Sequence, residues 1–432
     1  MRCALAILFA LSSILSANND WADWRGPNRD GVAKSDAPIK WSANQRIAWK
    51  ANIPGRGHSS PILWGDRIFL TTAVPMAAQQ SAAAPAQGGR GGGAGGGAAS
   101  GVPHRFVVMA LDRKDGKVLW EQTAITATPH EGYHRQYGSF ASNTPVTDGK
   151  RVYAHFGSRG LYAYTLDGKL EWKREFPPMR MRLQFGEGVP LVLHEDTLLI
   201  NFDQEADSYL VAIRASDGKE LWRVTRDEPS SWSPPFVVTH GGKKQIVVAA
   251  SNKVRSYEFE NGKLIWECAG LGSNVIPAPV QINDTIIVMS GHREPNLLAI
   301  KLGRTGDLTG TDAIVWTNQR GNSYTPSPVL HEGKIYMLTD NGMLSCFDAV
   351  TGKPYYHQER LPQPYNFKAS PVAAGGKLYL SAENGDVIVV KLGQKLEILA
   401  TNQHPDEMFI ASPAIVDGSL YLRGKNTLYC IR

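Results

Sequence analysis

The chain has 432 residues, 42% of them hydrophobic and 20% charged, with a formal net charge of +6. That length is large for a single core but ordinary for a chain of repeats, in which each unit packs only on its neighbours. The charges are scattered rather than clustered, which argues against nucleic acid as a partner.

In chain order, Met1-Arg2-Cys3 precedes an apolar run from Ala4 to Leu15 and the small pair Ser16-Ala17. One positive charge, a short apolar stretch and small residues predict a secretory signal over 1–17, cut near Ala17, and hence a secreted or periplasmic protein. The run is too short to span a bilayer, and no other segment qualifies. Residues 18–45 are expected to form an N-terminal extension, and 46–432 the folded domain. Within it, 77–101 is almost wholly Ala, Gly, Gln and Ser. Such a segment lacks the apolar surface to order itself and predicts a flexible loop.

From Pro61 onward a Pro opens an apolar run at nearly constant spacing: Pro61, Pro145, Pro190, Pro235, Pro279, Pro328, Pro371 and Pro413. After a first interval of 84 residues, lengthened by the Gly-rich segment, the steps are 45, 45, 44, 49, 43 and 42. A second phrase keeps the same beat: Gly116-Lys117 with Trp120, Gly168-Lys169 with Trp172, Gly218-Lys219 with Trp222, Gly262-Lys263 with Trp266, and Gly352-Lys353 with Tyr356. Pro fits the first residue of a strand, where its missing N–H removes no ladder bond. Gly accepts the positive φ of the tight turns between strands. The unit from Pro328 predicts four strands: Val329-Leu330, Lys334 to Leu338, Met343 to Asp348, and one holding Tyr355-Tyr356. A period in the forties carrying four strands predicts an all-β, eight-bladed β-propeller of four-stranded blades.

The last repeat ends at Leu428-Tyr429-Cys430-Ile431-Arg432, which aligns with a third strand. Arg46 to Lys50 carries an aromatic strand with no partners of its own. The N-terminal strand is therefore expected to complete the C-terminal blade and close the ring, removing an exposed edge. The recurring aromatics Trp49, Trp120, Trp172, Trp222, Trp266, Trp316 and Tyr356 are expected to wedge between blades. Cys268, Cys346 and Cys430 are far apart and without metal-ligand spacing, which predicts buried apolar packing. Arg174, Arg180 and Arg182 around Pro177-Pro178 read as a solvated loop.

In a propeller the loop before each first strand rims one face. Those positions hold His58, Tyr137, Phe140, Gln184, Phe185, Trp232, Asn274, Tyr324, Asn366, Phe367 and Phe409, rings and amides suited to a ligand at the funnel rim, or to plugging a narrow channel. His130, His134, Arg135 and Tyr137 cluster in one such loop, but Pro129, Gly132 and Gly138 argue against the helix that would place both His on one face, and no third Zn²⁺ ligand follows. Asp203, Glu205 and Asp207 alternate in the densest acidic loop, a spacing at which loop oxygens chelate Ca²⁺.

The stretch Ala110-Leu111-Asp112-Arg113-Lys114-Asp115-Gly116-Lys117-Val118-Leu119-Trp120 resembles the repeat of pyrroloquinoline-quinone (PQQ)-type propellers. Trp24-Arg25-Gly26-Pro27-Asn28-Arg29-Asp30-Gly31 and Pro54-Gly55-Arg56-Gly57-His58-Ser59-Ser60-Pro61 resemble the secreted bacterial branch of that superfamily, over roughly residues 21 to 432. The resemblance implies either of two activities. Dehydrogenase members stack a quinone against a disulfide of adjacent cysteines, with Ca²⁺ and a carboxylate base; no two cysteines are adjacent here. The other branch includes the outer-membrane assembly propeller, a lipoprotein that binds partner proteins and whose anchoring Cys is not matched here. The expected function is a secreted, monomeric, non-catalytic scaffold without a cofactor, holding a protein segment or carbohydrate-like ligand at the rim. The alternative is a PQQ- and Ca²⁺-dependent dehydrogenase of alcohols or sugars, with Asp203, Glu205 or Asp207 among its carboxylates.

Overall fold

The computed structural model describes residues 20–42, 44–76 and 101–432. The expected signal at 1–17, its Cys3 and the Gly-rich loop up to residue 100 lie outside the described residues. The eight Pro-led repeats form eight antiparallel sheets of four strands each, with one short extra piece on the fourth. The repeat from Pro328 gives strands Val329–His331, Lys334–Leu338, Met343–Asp348 and Pro354–Arg360. Two single-turn 3-10 segments, Gly157–Arg159 and Arg182–Gln184, interrupt an otherwise all-β chain. Among the described residues no helix is long and apolar enough to cross a membrane.

Burial follows distance from the channel. The second and third strands are sandwiched between neighbouring blades, so a strand such as Thr197–Phe202 is buried at every position and reads as a continuous apolar run. The outermost strand is covered on one face only and alternates, as Glu220–Arg226 does. The core is accordingly a ring of layers between blades. One layer joins Val329, Tyr336, Leu344 and Cys346 of the sixth blade to Leu378, Leu380 and Ile388 of the seventh. Cys268, Cys346 and Cys430 are free and buried in such layers. Burial pushes the Cys268 thiol up to about 11 and the Cys346 thiol up to about 12, so both stay protonated and behave as apolar filler.

The wedge aromatics dock on the turn of the next blade. Trp120 donates its indole N–H to Leu166 O at 2.8 Å, Trp172 to Ala215 O at 3.0 Å and Trp222 to Phe259 O at 3.0 Å. In each case the ring lies on the turn Gly that follows. A Cβ built on Gly168 would lie 2.7 Å from the Trp120 ring, so that position needs glycine for closeness as well as for its φ of 85°. Trp266 departs from the pattern. The next blade has a longer connection in place of the Gly-Lys turn, and its Gly306–Asp307 piece pairs parallel with Trp266 and Glu267. Trp266 is fully buried beneath it and its indole N–H has no acceptor.

The ring closes as the truncated last repeat predicts. Strand Ile47–Asn52 pairs antiparallel with Thr427–Ile431, with Trp49 opposite Cys430. A second closure lies at the channel. The residue before the marker Pro offers a hydroxyl to the backbone N–H of the preceding blade: Ala278 to Ser327, Ser327 to Ser370 and Ser370 to Ser412 at 2.9 Å each, Ser412 to Ser60 at 3.0 Å, and Ser60 to Thr144 at 2.9 Å. The N-terminal segment then spans the channel from the turn side. Trp21 bridges to Leu63, Ala33 bonds Ala373, and Trp24 donates to Ser412 Oγ at 3.1 Å. The Arg25 guanidinium donates to the carbonyls of two marker prolines, Pro371 at 2.8 Å and Pro328 at 2.5 Å.

Candidate functional site

With the channel closed below by Trp24 and Arg25, the opposite face holds a blind funnel. Its upper part is a cavity of about 370 Å³ walled by loops of the second to seventh blades. It continues into a throat of about 190 Å³ that reaches Trp24, His58, Ser60 and Ser412. Aromatic stacks form the upper wall. His134 lies on Tyr137 with centroids 4.7 Å apart and planes at 14°, and His292 lies on Tyr324 at 5.0 Å and 28°. Phe185 leans on Trp232, whose indole N–H is held by Gly186 O at 2.9 Å.

The polar groups of the wall are cationic. Arg182, Arg293 and Lys368 line the cavity together with His134 and His292, and no carboxylate lines it. Lys368 stands 4.3 Å above the Tyr137 ring and pairs with Asp340 at 2.6 Å and Glu383 at 3.8 Å. Both histidines are held below their usual range, chiefly by burial: His134 is further lowered by Lys368, and His292 by Arg293 and Arg182. In the throat, burial and then Arg56 and Arg423 hold His58 down to about 3, so it is neutral at pH 7, and its Nε2 has no partner. Asn274 is 3% exposed, its Oδ1 has no partner, and its backbone has a φ of 58°.

Of the expected rim residues, His58, Tyr137, Phe185, Trp232, Asn274 and Tyr324 line the funnel. Four others do not. Phe409 is fully buried against His404 and belongs to the core, and Phe367 is likewise buried beside Tyr365. Gln184 and Asn366 point to solvent outside the cavity. Phe140 packs behind the wall on Tyr133 and His104.

The acidic loop also requires correction. Asp203 is completely buried and accepts from Arg226 Nε at 2.7 Å, Ser231 Oγ at 2.7 Å and Asn201 Nδ2 at 3.0 Å. Glu205 instead accepts from Ser230 N at 3.1 Å, and Asp207 faces solvent. The three carboxylates therefore do not converge, because a buried arginine holds the first. His130 and His134 do not converge on a metal either, since the His130 ring nitrogens bond Met179 O at 2.7 Å and Arg159 at 3.0 Å. Among the described residues no three His, Cys, Asp or Glu side chains group to hold a metal.

Sequence reasoning missed Lys368, His292, Arg293 and Thr325, and read Arg182 as part of a solvated loop. The hydroxyl belt was visible in the chain as a Ser or Thr directly before Pro61, Pro145, Pro328, Pro371 and Pro413. No comparable signal marked Arg293, which lies in a connection between second and third strands. The residues present do not fit Ca²⁺, which takes carboxylate and carbonyl oxygens: the wall is cationic and the nearest carboxylates, Asp340 and Glu383, are bound to Lys368. The free cysteines sit singly in separate layers, so the stacking disulfide of the quinone enzymes has no counterpart.

Fold and repeat define an eight-bladed propeller of the PQQ-like class. The sequence profile described as outer membrane protein assembly factor BamB matches residues 104–353, 177–401 and 303–429, and the chain belongs to that family. It is 22% identical over 335 residues to the outer membrane protein assembly factor BamB of Yersinia pestis, covering 74% of this chain and 70% of that one. It is 23% identical over 375 residues to the tetrathionate hydrolase of Acidithiobacillus ferrooxidans, covering 82% and 69%. Among solved structures, the quinohemoprotein alcohol dehydrogenase of Comamonas testosteroni superposes with a TM-score of 0.64 at 11% identity, covering 95% of this chain and 80% of that one. That likeness is one of fold.

Proposed function

We propose that this protein is a non-catalytic scaffold that captures a segment of a partner protein in the funnel, acting outside the cytoplasmic membrane. One observation carries the reading: a blind, open funnel whose wall presents Tyr137, Phe185, Trp232 and Tyr324 from the loops before the second, third, fourth and sixth blades over a floor sealed by Trp24. Rings on a concave surface bind side chains of many shapes, because apolar contact is non-directional and each ring presents a flat, rigid area. The family's description as an outer membrane protein assembly factor supports a protein as the ligand. The apolar N-terminal stretch Ala4 to Leu15 supports export. The cationic wall supports capture over Ca²⁺-dependent quinone chemistry, for which it offers no carboxylate.

The test is capture of a urea-unfolded outer-membrane β-barrel protein by the immobilised chain. The wild type is expected to bind it saturably, and the double variant Trp232→Ala, Tyr324→Ala to lose capture while keeping its melting transition. Undiminished capture would show that the funnel is not the site. Loss of the melting transition would show that these rings are core.

A further inference from the structure

We infer that the segment held in the funnel is acidic, with a carboxylate seated against Arg182 and Arg293 and its backbone N–H donated to Asn274 Oδ1. This rests on the capture reading above and adds the chemistry that selects the segment. The cavity wall carries three permanent cations, and their surroundings differ. Lys368 already has its counter-ions in Asp340 and Glu383. Among the described residues neither Arg182 nor Arg293 forms an ion pair, although arginines elsewhere on the loop side do: Arg159 holds Glu187 at 2.6 Å and Arg226 holds Asp203 at 2.7 Å. A guanidinium is a planar fork of donors that matches a carboxylate in a paired, two-bond geometry. Two of them on a wall without carboxylates leave that capacity unused.

Asn274 is the independent pointer. Its side chain is nearly fully buried and lines the cavity, yet Oδ1 meets no donor. A buried acceptor without a partner is destabilising, and its persistence at a cavity marks a place where a ligand donor fits. A peptide N–H is such a donor. The backbone at this edge is also held in the left-handed region by non-glycine residues, at Leu183 with φ 49°, Asn274 with φ 58° and Arg293 with φ 55°. Conformations of that kind concentrate at binding sites, where surrounding structure enforces them. Burial first, and then Arg293 and Arg182, lower the proton affinity of His292, and the share from the two arginines reflects the positive charge at this spot.

Three peptides, acetylated and amidated so that their ends are neutral, separate the possibilities. They share alternating Tyr residues and differ only in the intervening Glu, Gln or Lys. Titrated against the folded chain by fluorescence anisotropy, the Glu peptide is expected to bind about tenfold tighter than the Gln peptide, and the Lys peptide weakest, with the margin shrinking as salt is raised. In Arg182→Gln, Arg293→Gln the Glu peptide is expected to fall to the affinity of the Gln peptide, whose own binding is unchanged. Equal binding of Glu and Gln peptides by the wild type would overturn the acidic preference while leaving capture standing. Failure of all three to bind would overturn capture, and this inference with it.

Discussion

At the scale of single residues, two buried histidines set an acid limit on this protein. His155 is 2% exposed, with the rings of Phe176 and Phe202 edge-on at 5.8 and 5.6 Å and Nε2 without a partner. Burial lowers it from 6.5 to about 3, and burial with two arginines does the same to His58. The unfolded chain therefore binds these protons between pH 6.5 and 3 while the folded chain refuses them, so stability is complete above 6.5 and falls as pH drops through that window. Each ring contributes a slope of up to about 1.4 kcal/mol per pH unit. The melting temperature of His155→Gln is expected to depend on pH less steeply than that of the wild type across that range. Parallel curves would mean that the native ring takes a proton after all. Such roles are illegible in the chain: His130, His134 and His155 look alike as letters, and only the packing around them separates a surface ring, a stacked ring and a buried neutral one.

At the scale of elements, the fourth strand and the following turn act as one unit. The Trp indole satisfies a turn carbonyl of the next blade while its face lies on a turn Gly, so each of the first three blades is latched to its successor by one side chain. Trp120→Ala removes the latch between the first two blades and is expected to cost about 3 kcal/mol, read from denaturant unfolding, because the neighbouring backbone closes only part of the cavity. An unchanged midpoint would refute the wedge role. The Gly-Lys-x-x-aromatic phrase made this latch legible, since the turn needs a positive φ and the ring needs a surface without Cβ. Trp266 carried the same phrase yet differs in surroundings, as the next blade replaces its Gly-Lys turn with the insertion around Gly306–Asp307.

At the scale of the whole molecule, stability depends on the N-terminal segment twice. Strand Ile47–Asn52 completes the eighth blade, and Trp24 and Arg25 seal the channel across blades distant in sequence. Arg25 is buried, and desolvation, the largest influence, lowers it to about 10 despite Asp30 and Asp23, so it remains charged and gives its hydrogen bonds to backbone carbonyls. A chain lacking residues 1–52 leaves Thr427–Ile431 as an open edge next to an unsealed channel. Such a chain is expected to melt lower and to associate with rising concentration, followed by light scattering, because an exposed strand templates pairing with another chain. A monomer with native melting would make the closing strand dispensable.

The amino-acid sequence by itself determined the number of blades, the strand order within each and the way the ring closes. These follow from local periodicity: prolines at strand starts, glycines at turns and alternation against a neighbour repeat in every unit. The funnel was decided only by tertiary structure. Arg182, Trp232, Asn274, Arg293, Tyr324 and Lys368 come from five different blades, and ring closure alone brings them to one wall. Whether a loop side chain such as Tyr324 or Phe409, each four residues before a marker Pro, reaches the cavity or folds into the core depends on the space left between blades, which no repeat period encodes.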